Sequence, residues 1–486
     1  MPELSRFFPD KKAIGALFAT TLLWLIPLFF YPHLNLAFAL LGVPVLVLSV
    51  LLFRTYEQWW FVLIFSIPLS IDVERLIGDS ALRLPSEALL LILFGLLILF
   101  TINGFRPIRE KHFKHPFFWI LAFYLLVVYV NILFTTDHFV SIKQVFIKTV
   151  FLFMFFGLWL VFFHRIKQFF KFIYCYLISF SFVIVYTLYQ HSFFGFQQFA
   201  SYLVSRPFYD DHTIYAASLA FIFPISIFLV FRHLISTHKQ RLWWSIPLLV
   251  LLFVALLFSY SRAAWLGTIV AAVAVFILYS RHRLYFLFFV ILGTSIGGVF
   301  LYQPIVEQLS KSKTVSATDF SQHLKSSVSI EADDSNKERI NRWKAAFRMG
   351  MDRPITGFGS GTYQFEYGVF QKPSEMTRIS VYDGSGGTAH SEYLLIFAEN
   401  GFPGLLAFLG IMIGSFVYFV RLLFKLDRFP LVKQLILSLG AGLITFYVHA
   451  FFNNFLDTDY LSVLFWVFTS TIIGLDYQLT RPKSDR

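Results

Sequence analysis

Between Arg241 and Arg281 the chain carries a single charged residue, Arg262, set in the stretch LLFSYSRAAWLGTIV. The apolar run from Trp243 to Tyr279 is 37 residues long. As one helix at about 1.5 Å per residue it would reach about 55 Å, nearly twice the ~30 Å hydrocarbon layer of a bilayer. The run must therefore fold back on itself, and it turns at Ser259-Tyr260-Ser261-Arg262. That turn lifts Arg262 to the membrane rim opposite the end bounded by Arg241 and Arg281. A snorkelling arginine at a helix end is common, but a rim charge of this kind is also a functional candidate by default.

The same logic extends to the whole chain. With 57% hydrophobic residues and a mean hydropathy of +0.68, most of it cannot be the surface of a soluble domain. Apolar stretches of spanning length fall near 13–31, 34–53, 59–71, 87–103, 116–134, 145–163, 172–190, 213–231, 243–260, 263–279, 284–302, 402–420, 433–451 and 460–475. The expected fold is an all-α polytopic membrane protein of about fourteen transmembrane helices, or about twelve, since the third stretch is short. Residues 1–302 would hold eleven spans and 402–486 the last three, with one large loop, 303–401, between them. Placing the N-terminus inside puts 23 of the 40 Lys and Arg in inside segments and 6 in short outside ones, so both termini are expected to be cytoplasmic. The net charge of +12 thus reports topology and gives no reason to expect nucleic acid. The lone Cys175 excludes an internal disulfide and a cysteine-based metal cluster.

The long loop faces outward in this scheme. Within it, KERINRWKAAFRMGMDRP places Ile340, Trp343, Phe347 and Met351 at helical spacing. That pattern predicts an amphipathic helix on the membrane surface, whose Arg339, Arg342, Lys344 and Arg348 would meet phosphates of lipid or substrate. GFGSG lacks the GK[ST] ending of a phosphate loop and reads as turn chemistry. In HSEYLLIFAENGFPG, Ser391 is placed to cap a helix ending at Asn400-Gly401, and Pro403 suits the first turn of the next span. His390 then sits at a helix N-terminus, where the dipole favours a neutral, proton-accepting imidazole; an interface-anchoring histidine is the competing reading. A third outer segment, SRPFYDDHTIYAA, brings Arg206, Asp210, Asp211 and His212 to the same face. One arginine in each of two short outer turns points to a shared anionic ligand.

Taken in order, these motifs resemble the O-antigen ligase and O-antigen polymerase superfamily of bacterial envelope glycosyltransferases. SRAAWLG is similar to its Arg-x-x-x-Leu element, here Arg262 and Leu266, and the His390 stretch to its His-[Asn/Ser/Gln]-x9-Gly-x-x-Gly element, here His390, Ser391, Gly401 and Gly404. The likeness runs from about residue 200 to 420. Leu405 stands where ligases often carry threonine. The resemblance implies a multi-span glycosyltransferase fold in the bacterial inner membrane with its active site facing the periplasm. It also implies a glycan donor on undecaprenyl diphosphate, a lipid A-core or other glycan acceptor, and neither metal nor cofactor. In that chemistry Arg206 and Arg262, assisted by Arg339 and Arg342, would grip the diphosphate, while His390, or failing that Glu392, would take the acceptor proton. Ligase is preferred to repeat-unit polymerase, and a lipid or polysaccharide transporter is the reading of another class, which the lack of alike halves disfavours.

Overall fold

The computed structural model describes residues 56–72, 83–103, 115–163, 165–235, 239–280, 337–381, 386–426 and 429–480. The expected spans at 13–31, 34–53 and 284–302 lie outside these residues, as does most of the polar stretch after them. The described chain is almost entirely helical. Its elements are α1 Tyr56–Ser66, α2 Ser86–Ile102, α3 Pro116–Asn131, α4 His138–Phe151 running on to Phe162, α5 Ile166–Ser192 and α6 His212–Ile235. There follow α7 Leu242–Phe258, α8 Arg262–Tyr279, α9 at 337–352, α10 Glu392–Lys425, α11 Pro430–His449 and α12 Asp459–Thr480.

Among the described residues nine helical stretches are long and apolar enough to cross a membrane, and these match expected spans closely. Two departures are informative. The expected span at 59–71 is α-helical to Ser66 and 3-10 over Ile67–Leu69, after which Ile71–Asp72 pairs antiparallel with Arg83–Leu84 in a two-residue ladder. The span expected at 145–163 begins at His138, because Asp137 caps the helix by accepting the Val140 N–H at 3.1 Å. Lys143, outside the expected span, is consequently inside the helix, as is Lys148.

The helices pack around α12, whose apolar window is 94% buried, while α7 and α8 are largely uncovered at the periphery. Lipid tails are as apolar as leucine, so this arrangement reflects close packing and internal polar bonds more than expulsion from water. Gly267 of α8, for example, lets its backbone approach α11 so closely that a Cβ would lie 2.9 Å from the Thr445 carbonyl oxygen. Within α4 a π-helical turn, Leu152–Gly157, loosens the backbone ladder. Polar groups of α12 meet it: Ser470 Oγ donates to the Phe156 carbonyl at 2.9 Å, and Trp159 Nε1 donates to Thr471 Oγ1 at 2.8 Å. The segment 337–391 has a small core of its own, Ala345, Ala346, Met349, Phe358, Tyr363 and Tyr367, which packs on Leu395 and Ala398 of α10.

Candidate active site

The turn from α7 to α8 is tight. Trp265 Nε1 donates to the Leu256 carbonyl across it at 2.8 Å, and Tyr260 at its apex adopts φ 50°, a left-handed conformation uncommon outside glycine. The same tyrosine's hydroxyl donates to the Phe196 carbonyl at 2.8 Å, tying this turn to the one between α5 and α6. Arg262 follows as the first residue of α8, and its side chain is exposed. Ser261, at the N-cap, makes no side-chain cap bond, so the first-turn amides add their partial positive charge beside the guanidinium.

Asp211 caps α6 by accepting both the N–H and the hydroxyl of Thr213 at 2.7 Å. Its other near neighbours are His212 Nδ1 at 3.5 Å and, at longer range, Arg339. The His212 ring packs edge-on against Tyr202, with centroids 4.4 Å apart. Arg339 of α9 sits among Asp211, Tyr202 and Arg262; burial and then the Arg262 charge push its guanidinium below its ordinary range, against the opposing pull of Asp211 and Tyr202. Its Nε is buried without a hydrogen-bond partner among the described residues. Arg339 thus faces one carboxylate, Asp211, and a second guanidinium, Arg262, an arrangement suited to receiving an anion.

His390 closes the group. Its backbone is left-handed at φ 49°, and its carbonyl accepts the Trp343 indole N–H at 2.9 Å. Burial, then Arg342 and Arg339, hold its imidazole down at about 4; Asp211 and the Asn453 side chain, as an acceptor, pull the other way. The ring is therefore neutral near pH 7 and able to accept a proton. Ser391 behaves as anticipated, capping α10 through Leu394 N–H. Gly401 breaks α10 at φ 62°, and a Cβ there would lie 2.6 Å from the Pro354 carbonyl oxygen. Gly404 lies one turn further on, where a Cβ would meet that of Asn400 at 2.3 Å. The GFGSG turn is a joint between chain segments. Gly359, at φ 106°, donates to the Glu399 carbonyl at 2.8 Å and sits against Thr135, and Ser360 Oγ donates to Asn400 Oδ1 at 3.0 Å.

Other expected site residues fall elsewhere. Arg342 is buried, not reaching for phosphate: its Nε meets Glu338 at 2.9 Å, Nη1 donates to the Thr388 carbonyl at 3.2 Å, and the guanidinium lies over Tyr367. Glu392 is 2% exposed and accepts the N–H groups of Phe455 and Leu456 at 3.0 and 3.3 Å, so the fallback base is occupied in holding a turn. Arg206 shares the α5–α6 turn with Asp211, but its charged neighbour there is Asp210, at 3.9 Å, and its Nε is without a hydrogen bond. Leu266, one turn after Arg262 on α8, is 44% exposed. On α9 the apolar stripe leaves Phe347 and Met351 half exposed, while the helix packs inward through Glu338, Asn341, Arg342, Ala345 and Ala346. A small-residue strip with satisfied polar flanks permits close approach, which the bulky stripe would not.

The sequence from Arg262 through α9 to Gly404 has a recognisable counterpart. Residues 247–409 match the family model described as O-Antigen ligase. The matched segment contains Arg262, Arg339, His390, Gly401 and Gly404, while Arg206 precedes it. No curated protein matches the chain. Reasoning from sequence missed the turn between α11 and α12, which supplies Asn453 beside His390. The available signal was HAFFNNFLDTDY, a polar island between two apolar stretches.

Proposed function

We propose that this protein is a glycosyltransferase of the inner membrane that moves a glycan from an undecaprenyl diphosphate carrier to an acceptor hydroxyl on the periplasmic side. The observation that carries the reading is Arg339, half-buried near Arg262 with a buried, unpartnered Nε and close to a neutral His390. In the reaction, an acceptor oxygen attacks the anomeric carbon, the bond from that carbon to the phosphate oxygen breaks, and the diphosphate departs with the electron pair. Negative charge grows on the leaving group, where Arg262, Arg339 and the open N-terminus of α8 stabilise it. His390 takes the hydroxyl proton as the new bond forms. Arg206 would serve the outer part of the diphosphate after giving up its long contact with Asp210, and Arg342 orders the turn before His390. A lipid-anchored core sugar is the preferred acceptor, in keeping with the His390-Ser391 and Gly401-Gly404 spacing.

The test is reconstitution of the purified protein with lipid-linked glycan and acceptor. Release of undecaprenyl diphosphate together with glycosylated core supports the reading. Glycan lengthened on the carrier would mark a polymerase, and movement of intact carrier across the bilayer would mark a transporter.

A further inference from the structure

Lys148 lies in α4, the helix whose Ser141 Oγ donates to the Ser360 carbonyl of the glycine turn at 3.0 Å, and its side chain is 9% exposed. Its Nζ is 3.6 Å from Asp457 Oδ1 and 3.9 Å from Glu399 Oε2. Neither of those oxygens has a hydrogen bond among the described residues, so the lysine charge is what they face. Ionisable groups at such depth are rare and are retained for a reason.

The two carboxylates belong to different parts of the site. Asp457 is on the turn between α11 and α12, and Glu399 is two residues before the Gly401 bend. Glu399 Oε1 accepts Tyr363 N–H at 3.4 Å and its carbonyl accepts Gly359 N–H at 2.8 Å, so it holds the glycine turn. The α11–α12 turn is gripped twice, at its backbone by Glu392 and at its side chain by Lys148. This turn carries Asn453, which contacts His449 Nε2 at 3.2 Å and acts on the nearby His390 imidazole. It further carries Asn454, which accepts the Thr388 hydroxyl at 2.6 Å, two residues before His390.

We infer that Lys148 is a positioning residue for His390: through Asp457 it fixes the turn that presents Asn453 to the imidazole, and through Glu399 it fixes the glycine turn behind it. The inference rests on the reading of His390 as the base. Removing the ammonium leaves two bare carboxylates facing each other across the gap, and the turn relaxes away from the histidine.

The test compares the full-length protein with Lys148→Met, Lys148→Arg and Asp457→Asn in proteoliposomes. One readout needs no substrate: the rate at which diethyl pyrocarbonate modifies His390, measured by mass spectrometry against the exposed His138 of the same helix. The other is turnover with lipid-linked glycan. Lys148→Met is expected to change the His390 rate several-fold and lower kcat by at least about tenfold, with donor KM moved by no more than about twofold. Lys148→Arg should recover part of both. Should Lys148→Met fail to insert, Asp457→Asn carries the same test, since it leaves the bonds from Glu392 to the turn in place. Unchanged His390 reactivity in a folded Lys148→Met or Asp457→Asn protein overturns the inference. Changed reactivity with unchanged turnover supports the positioning and instead removes His390 from its role as base.

Discussion

The indole N–H of Trp343 donates to the backbone carbonyl oxygen of His390 at 2.9 Å. This bond joins α9, which carries Arg339, to the turn that carries the imidazole, so the two parts of the site move together. Replacing Trp343 by Phe keeps a ring to pack against Phe452 but removes the donor. A loss of about 1 kcal/mol in transition-state stabilisation is expected, read as roughly a fivefold fall in kcat/KM.

Arg262→Ala is expected to lower kcat by about a hundredfold or more while the protein stays folded and inserted, because the guanidinium acts on charge that develops only as the diphosphate leaves. Near-normal turnover in proteoliposomes would make Arg262 an interface anchor. Arg206→Lys should also lose activity if the contact is bidentate, whereas an unimpaired variant would reduce it to a point charge.

The pH dependence follows from His390. Its folded value, about 4, lies below the ordinary histidine value, so the ring stays neutral until the medium becomes strongly acidic. The acid limb of the kcat/KM profile is therefore expected near pH 4, not near 6.5, and His390→Ala should lower kcat more than it raises donor KM. Stability is linked in the same direction. Between about 6.5 and 4 the unfolded chain binds the proton and the folded one does not, so this contribution is present above that window and is lost as pH falls through it. Thermal melts of wild type and His390→Asn across the window check the sign.

Gly401→Ala is expected to destabilise the protein by about 1–3 kcal/mol, since a left-handed residue gains a Cβ pressed against the Pro354 carbonyl oxygen. A lowered Tm in detergent measures this. Activity should fall with it, because the bend sets the angle between the capped start of α10 and its spanning part.

Much of the architecture was legible in the residue pattern. The fold-back at Arg262, the capping by Ser391 and the break at Gly401 follow from segment length, cap chemistry and proline placement, all local properties. The start of α4 was misjudged because Lys143 interrupts the apolar pattern, and hydropathy cannot distinguish a lysine such as Lys148, paired with Asp457 and Glu399, from one in water. Glu392 and Arg342 were assigned to chemistry for the related reason that a charge next to a motif looks available. Both are occupied by partners 63 and 4 residues away, respectively.

What the sequence determined by itself is the membrane-spanning helical class and the presence of a cationic and histidine-bearing set of turns, because span length, charge bias and helix ends are written in neighbouring residues. Which of those charges meet was decided only in three dimensions. Arg339, Asp211 and His390 come within reach of one another through packing between segments far apart in the chain, and whether an ionisable side chain is left open or consumed depends on the partners that this packing delivers.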